Sequence, residues 1–136
     1  MNYAGADKRA FAGLIDALIV YVSFFILAVI ISRTIGESVL ILFLMLLAVA
    51  AYTPLMCASK YQATVGMRLF KLRMANIDGA PVTLQQSLIR SALELVFFII
   101  AGVGVLYFLV FNFMIERSSS GQTLHDKVAN TVILAD

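Results

Sequence analysis

The stretch VLILFLMLLAVAAYTPLMCA (residues 39–58) contains no charged side chain. A helix needs about 20 predominantly apolar residues to cross the hydrocarbon core of a bilayer, and this stretch has that length. Two similar stretches flank it: residues 10–31 contain the single charge Asp16, and residues 95–115 contain none. The sequence therefore predicts an integral membrane protein built from helices.

The composition of the whole chain agrees with this prediction. Of its 136 residues, 62% are hydrophobic and 13% are charged, whereas soluble domains are about half apolar and about a quarter charged. A chain of this length forms one domain, so residues 1–136 are predicted to be a single unit. We expect helices at about residues 10–32, 39–58 and 92–115, a loop over residues 59–91 and a C-terminal segment over residues 117–136.

Basic residues beside the apolar stretches predict the orientation of the helices. Lys8 and Arg9 precede the first stretch. The loop after the second stretch carries Lys60, Arg68, Lys71, Arg73 and Arg90. By the positive-inside rule the N-terminus and this loop are cytoplasmic. Topology thus explains the basic residues, and we expect no nucleic-acid partner. Arg90 is expected to reach the lipid headgroups.

The cytoplasmic loop has the pattern of a short strand, a turn and a helix. Residues 69–74 nearly alternate between apolar and polar side chains, Asp78-Gly79 is a strong turn signal, and Thr83 is a plausible N-cap. The C-terminal residues 131–134 are also β-prone. The two β-prone segments can pair only if both lie on the same side of the membrane.

That condition leaves two arrangements open for the third apolar stretch. The default fold class is an all-α integral membrane bundle of about three transmembrane helices with a short cytoplasmic β-containing loop. Three full crossings, however, place the two β-prone segments on opposite sides. In the alternative, a break at Gly102 and Gly104 turns the third stretch into a re-entrant hairpin that returns to the cytoplasmic face.

Asp16 is the most informative polar residue, because an aspartate at the centre of a membrane helix costs about 2.5–3.5 kcal/mol. Arg9, Asp16 and Ser23 are spaced by sevens and share one helix face. Two interpretations stay open. Asp16 forms an ion pair with Arg9 that fixes helix packing, or its carboxylate binds a proton or a substrate.

Other polar residues in the apolar stretches are candidates for supporting roles. Pro54, after Thr53, removes a backbone donor and leaves carbonyl oxygens for a cation or water, although a simple kink is the alternative. Glu94 and Asn112 lie five turns apart and share a face if their helix is straight.

The sequence lacks the motifs of several common kinds of enzyme and metal site. The chain has no Walker loop, dinucleotide fingerprint, HExxH or Gly-x-Ser-x-Gly sequence, so we expect no enzymatic activity. Its one histidine and one cysteine lack the spacing of a metal site, and we expect no metal and no cofactor.

The chain resembles the RDD family of small bacterial membrane proteins, which is named for one arginine and two aspartates. Arg9 and Asp16 in KRAFAGLIDALIV (residues 8–20) match the first two charges, and Asp126 in TLHDKVANTVIL (residues 123–134) matches the third. The loop YQATVGMRLFKLRMANIDGAPVT (residues 61–83) is similar to the family's second block. The chain departs from the family's pattern at Ala63 and Val65, and at Asn130, where a glycine is usual.

The resemblance implies a multi-pass protein of the bacterial inner membrane with a transport-related role, and cation/proton antiport has been claimed for some relatives. It also implies that Arg9, Asp16 and Asp126 meet. Two acids near one cation can share a proton. We therefore predict a cluster that acts in cation- or proton-coupled movement, within a homo-oligomer because three helices enclose little of a pathway. The alternative is a non-transporting scaffold or accessory module with a structural cluster. The supporting residues are Ser23, Thr53, Pro54, Glu94 and Asn112.

Overall fold

The computed structural model describes residues 1–34, 39–101, 110 and 113–136. The helices are α1 (Ala6–Thr34), α2 (Val39–Ala58), α3 (Val65–Leu69), α4 (Leu84–Ala101) and α5 (Leu124–Val128), and the strands are β1 (Leu72–Asn76) and β2 (Thr131–Ala135). Residues 113–117 are also helical. The described chain is therefore mostly helical, with one small sheet.

Helices α1 and α2 are long and apolar enough to cross a membrane. The most apolar 18-residue window of Ala6–Arg33 has a mean hydropathy of 2.8, and that of Val39–Ala58 has a mean hydropathy of 2.5. The core helix of a soluble protein is mostly buried, but the most apolar window of α1 is 0% buried and that of α2 is 6% buried. The two helices are therefore candidate membrane spans whose apolar side chains face outward.

Strands β1 and β2 pair in antiparallel orientation along their full lengths, a pairing that the sequence left open. The turn after β1 forms as predicted, because the Gly79 N–H donates to the Asn76 carbonyl oxygen at 2.8 Å. The N-terminal segment covers the free edge of β2, where the Ala4 N–H donates to the Ile133 carbonyl oxygen at 2.9 Å. We call residues 1–5, 59–83 and 118–136 the sheet region.

The start of α4 follows from a capping interaction. The Thr83 hydroxyl oxygen accepts from the Gln86 N–H at 3.2 Å, and the Gln86 side-chain oxygen accepts from the Thr83 N–H at 3.1 Å. This reciprocal pair satisfies donors that the first turn leaves unpaired. The predicted N-cap is thus confirmed, and the helix runs without interruption from Leu84 to Ala101.

The segments that flank the third apolar stretch lie beside the N-terminal end of α1. β1 precedes α4, β2 follows residues 113–117, and the two strands pair. Arg9 of α1 and Arg90 of α4 also contact the same side chain of α5. The structure therefore does not confirm a third membrane-spanning helix over residues 92–115. Gly102, Gly104 and Asn112 lie outside the described residues.

Candidate functional site

Asp126 lies between two arginines in the interior of the protein. Its Oδ2 atom is 2.5 Å from Nη2 of Arg9, and its Oδ1 atom is 2.7 Å from Nε of Arg90. Arg90 also binds Glu94, with Nη1 and Oε2 2.9 Å apart. The side chains of Arg9, Arg90 and Asp126 are 3%, 6% and 0% exposed. We call Arg9, Arg90, Glu94 and Asp126 the Asp126 network.

A capping box at the start of α5 holds the Asp126 carboxylate in place. The Thr123 hydroxyl oxygen accepts from the Asp126 N–H at 3.4 Å, and Oδ2 of Asp126 accepts from the Thr123 N–H at 3.1 Å. Arg9 additionally donates from Nη1 to the Gly121 carbonyl oxygen. The local sequence Thr-x-x-Asp thus fixes the acid, and Arg9 fastens α1 to the segment that carries it.

The charges around Asp126 keep it ionised. Burial alone would raise the pKa of Asp126, but the Arg9 and Arg90 guanidiniums outweigh burial and hold this pKa well below its ordinary value. For His125, burial and the charge of Arg90 both lower the pKa, to about 4, so the imidazole is neutral at pH 7. An acid held between two cations in this way does not exchange protons near neutral pH.

Asp16 lies in a separate site, surrounded by neutral donors. Its Oδ1 atom accepts from the Tyr52 hydroxyl at 3.0 Å and from the Gly66 N–H at 2.8 Å. Its Oδ2 atom accepts from the Thr64 hydroxyl. These four residues form the Asp16 site, which joins α1, α2 and the start of α3.

Gly66 allows α3 to approach α1 closely. A Cβ atom at position 66 would lie 2.2 Å from the Ala12 carbonyl oxygen and 2.8 Å from Oδ2 of Asp16. Thr64 caps α3, with its hydroxyl oxygen accepting from the Met67 N–H at 3.3 Å. Residues 64–66 therefore combine a helix cap with a glycine, which has no side chain to block the contact between α3 and Asp16.

The structure does not bring the three predicted charges into one cluster. Arg9 meets Asp126, but the hydrogen bonds of Asp16 within the described chain are to Tyr52, Thr64 and Gly66. The ion pair between Arg9 and Asp16 that the spacing favoured is absent from the described contacts. The sequence placed both residues on one helix face, but each is bound by a different part of the sheet region.

The supporting residues are distributed over several environments. Ser23 and Tyr52 line an apolar groove of about 330 Å³ between α1 and α2. Pro54 is buried within an α2 helix that continues to Ala58, and Thr53 beside it is partly buried. Glu94 belongs to the Asp126 network. Asn112 lies outside the described residues, so its predicted alignment with Glu94 stays a prediction.

Sequence reasoning missed the role of Arg90. The headgroup contact expected for Arg90 is wrong, because the residue is 5% exposed and binds Asp126 and Glu94. The i,i+4 spacing of Arg90 and Glu94 was a usable signal for their pairing. Thr64 and Gly66 were also missed as partners of Asp16, since that contact joins segments far apart in the chain.

Comparison with known families places these charges in context. The RDD family model matches residues 3–130, nearly the whole chain. The chain belongs to the RDD family. Comparisons with curated proteins and with solved structures find no match. The matched range of this RDD protein contains Arg9, Asp16 and Asp126. It also contains Asn130, whose φ of 54° is left-handed, a conformation that glycine adopts freely and asparagine tolerates.

Proposed function

We propose that this RDD protein is a transport-related module of the bacterial inner membrane in which Asp16 couples movement to the binding of a proton. One observation carries the proposal: Asp16 contacts no cation among the described residues, whereas Asp126 lies between two arginines. Ionisable residues inside membrane helices commonly mark proton or ion pathways. Asp16 is therefore the family acid to which we assign the proton.

The donors around Asp16 disfavour a metal cation more than a proton. Tyr52, Thr64 and Gly66 all direct hydrogens at the carboxylate. The Tyr52 hydroxyl oxygen is itself occupied by the Val65 N–H at 3.1 Å. A cation needs several oxygen ligands with available lone pairs. A proton needs only one carboxylate oxygen.

Protonation of Asp16 would weaken the link between the membrane helices and the sheet region. Hydrogen bonds to an ionised carboxylate are about twice as strong as neutral ones. Protonation removes the charge and replaces one acceptor position with a donor. The bonds that respond are those from Tyr52 of α2, from Thr64 and from Gly66 of α3. Proton binding thereby changes how α1, α2 and α3 are held together.

The proposal includes a topology. The N-terminus and the sheet region are cytoplasmic, in agreement with the basic residues of that region. Glu94 and Phe113 lie on this side as well, and residues 95–112 are too few for two full helical crossings, which take about 40 residues. The proposed topology therefore has two membrane spans, α1 and α2, rather than three, and the re-entrant turn expected at Gly102 and Gly104 lies outside the described residues.

Labelling with a membrane-impermeant maleimide tests this topology in a Cys57→Ser background. We expect Lys8→Cys and Lys127→Cys to be protected in intact spheroplasts and labelled after lysis. Arg33→Cys, at the far end of α1, is expected to be labelled from outside. If Lys8→Cys and Lys127→Cys react from opposite sides, the third stretch crosses once and the proposed topology is wrong.

Proteoliposomes provide the test of function, with a matched pair of variants. We expect ion-driven proton movement by the wild type, loss of that movement in Asp16→Asn, and its retention in Asp7→Asn, which alters an exposed acid of the same helix. We also propose a homo-oligomer, because two helices enclose only an open groove. A strictly monomeric protein, or wild type without flux for sodium, potassium or lithium gradients, would contradict the transport proposal.

A scaffold or accessory role is the second candidate. It is favoured by the hydrogen bonding of both aspartates, each of which finds at least three partners within the chain. Under this alternative the RDD charges serve structure alone. Asp16→Asn would then lower the free energy of unfolding, and the wild type would carry no flux in the same vesicles.

A further inference from the structure

A group of exposed cations and apolar side chains surrounds Tyr61 at the edge of the sheet region. The Lys60 Nζ atom lies 5.1 Å from the centroid of the Tyr61 ring, and the Arg68 guanidinium carbon lies 4.6 Å from it. Neither cation forms an ion pair with a described carboxylate. Val65 and Leu69 adjoin them, and Leu69 is 65% exposed. We call Lys60, Tyr61, Val65, Arg68 and Leu69 the Tyr61 patch.

The depth of the patch follows from how α3 packs on α1. Gly66 lies against the Ala12 carbonyl, close to the start of the apolar part of α1. Phe70, just after α3, stacks on Phe11 of α1 with the ring centroids 6.2 Å apart. Phe11 is itself 58% exposed. If α1 spans the membrane, α3 therefore lies at the boundary between hydrocarbon and headgroups.

We propose that the Tyr61 patch binds an anionic phospholipid of the cytoplasmic leaflet. The phosphate lies between Lys60 and Arg68, and an acyl chain follows Val65 and Leu69. A cavity of about 280 Å³ lined by Val65, Arg68 and Leu69 is available beside the cations. Two uncompensated positive charges next to exposed aliphatic side chains match both parts of such a lipid.

A lipid explains features that a soluble anion would not. A free phosphate would make no apolar contact with the exposed Leu69 side chain, whereas an acyl chain would remove part of that side chain from water. Tyrosine is also a preferred residue at the membrane interface, where its ring contacts apolar groups and its hydroxyl stays hydrated. The proposal depends on membrane insertion of α1, but it does not require that the protein transports anything.

Binding of short-chain phosphatidylglycerol to the full chain in an uncharged detergent tests the proposal. We expect the wild type to bind it more tightly than phosphatidylcholine of equal chain length. The double variant Lys60→Gln/Arg68→Gln is expected to bind phosphatidylglycerol about thirtyfold more weakly, since each basic residue near an anionic surface contributes on the order of 1 kcal/mol.

The control Lys8→Gln/Lys127→Gln removes an equal number of positive charges at exposed positions outside the Tyr61 patch. It should bind phosphatidylglycerol as the wild type does. Arg68→Lys keeps the charge and should retain most of the binding. Equal affinity for the two lipids would overturn the proposal. So would an equal loss in the control, or binding of inorganic phosphate as tight as that of phosphatidylglycerol.

Discussion

Replacing Asp126 by asparagine is expected to lower the free energy of unfolding by about 3–5 kcal/mol, because it removes the buried carboxylate that the Arg9 and Arg90 guanidiniums share. Arg9 and Arg90 are 6% and 5% exposed, so water does not replace the lost acceptor. The loss also frees α5 from α1 and α4. Denaturant unfolding in detergent micelles measures the change.

The matched control is Asp136→Asn, which removes a carboxylate from an exposed ion pair. Oδ1 of Asp136 lies 3.1 Å from Nε of Arg73, and the aspartate side chain is 61% exposed. Exposed pairs contribute about 1 kcal/mol or less. If Asp126→Asn costs no more than Asp136→Asn, the Asp126 network does not hold the sheet region to the helices.

The pH dependence of unfolding gives a second readout for Asp126. Its pKa is lower in the folded protein than in the unfolded chain, where it is near the ordinary value of 3.8. The stabilisation is therefore complete at neutral pH and declines as the pH falls below about 3.8. The wild type should lose this contribution in acid, whereas Asp126→Asn has none to lose.

Gly66→Ala is expected to destabilise the protein by about 3 kcal/mol, because the added methyl group would collide with backbone as well as with a side chain. The Ala12 carbonyl oxygen would lie 2.2 Å from the new Cβ atom, a contact that requires α3 to move away from α1. That movement breaks the hydrogen bond from the Gly66 N–H to Asp16. Thermal unfolding measures the loss.

Gly13→Ala is the control for the same chemical change. A Cβ atom at Gly13 meets nothing within 4 Å in the described chain, and the residue lies inside α1. Alanine in a helix is more favourable than glycine by roughly 0.5–1 kcal/mol. Gly66→Ala should therefore lower the free energy of unfolding, whereas Gly13→Ala should raise it. Equal small effects would show that Gly66 is not in close contact with α1.

The apolar stretches were sufficient to predict the candidate membrane helices, because the length and composition of a span are local properties of the chain. Both strands were predictable for a similar reason, since their β-prone patterns are local. Their pairing was left open, because it depends on whether both strands lie on the same side of the membrane, and only the folded chain shows that they meet.

The sequence also could not predict that the three RDD charges divide between two sites. Arg9 and Asp16 share a helix face, but they lie two turns apart, about 10 Å along the axis. Each side chain therefore has room for a partner of its own. Arg9 contacts α5, and Asp16 contacts the start of α3. Neither partner is near α1 in the sequence, so spacing alone could not identify it.

Under the proposed function, Asp16, and not Asp126, exchanges a proton when the protein works. Infrared difference spectroscopy on the reconstituted protein tests it by recording the carbonyl band of protonated carboxyl groups before and after an ion gradient is applied. We predict a band change in the wild type and in Asp7→Asn that is missing from Asp16→Asn. If Asp16→Asn shows the same band change as the wild type, the exchanging acid lies elsewhere, which would contradict the role proposed for Asp16.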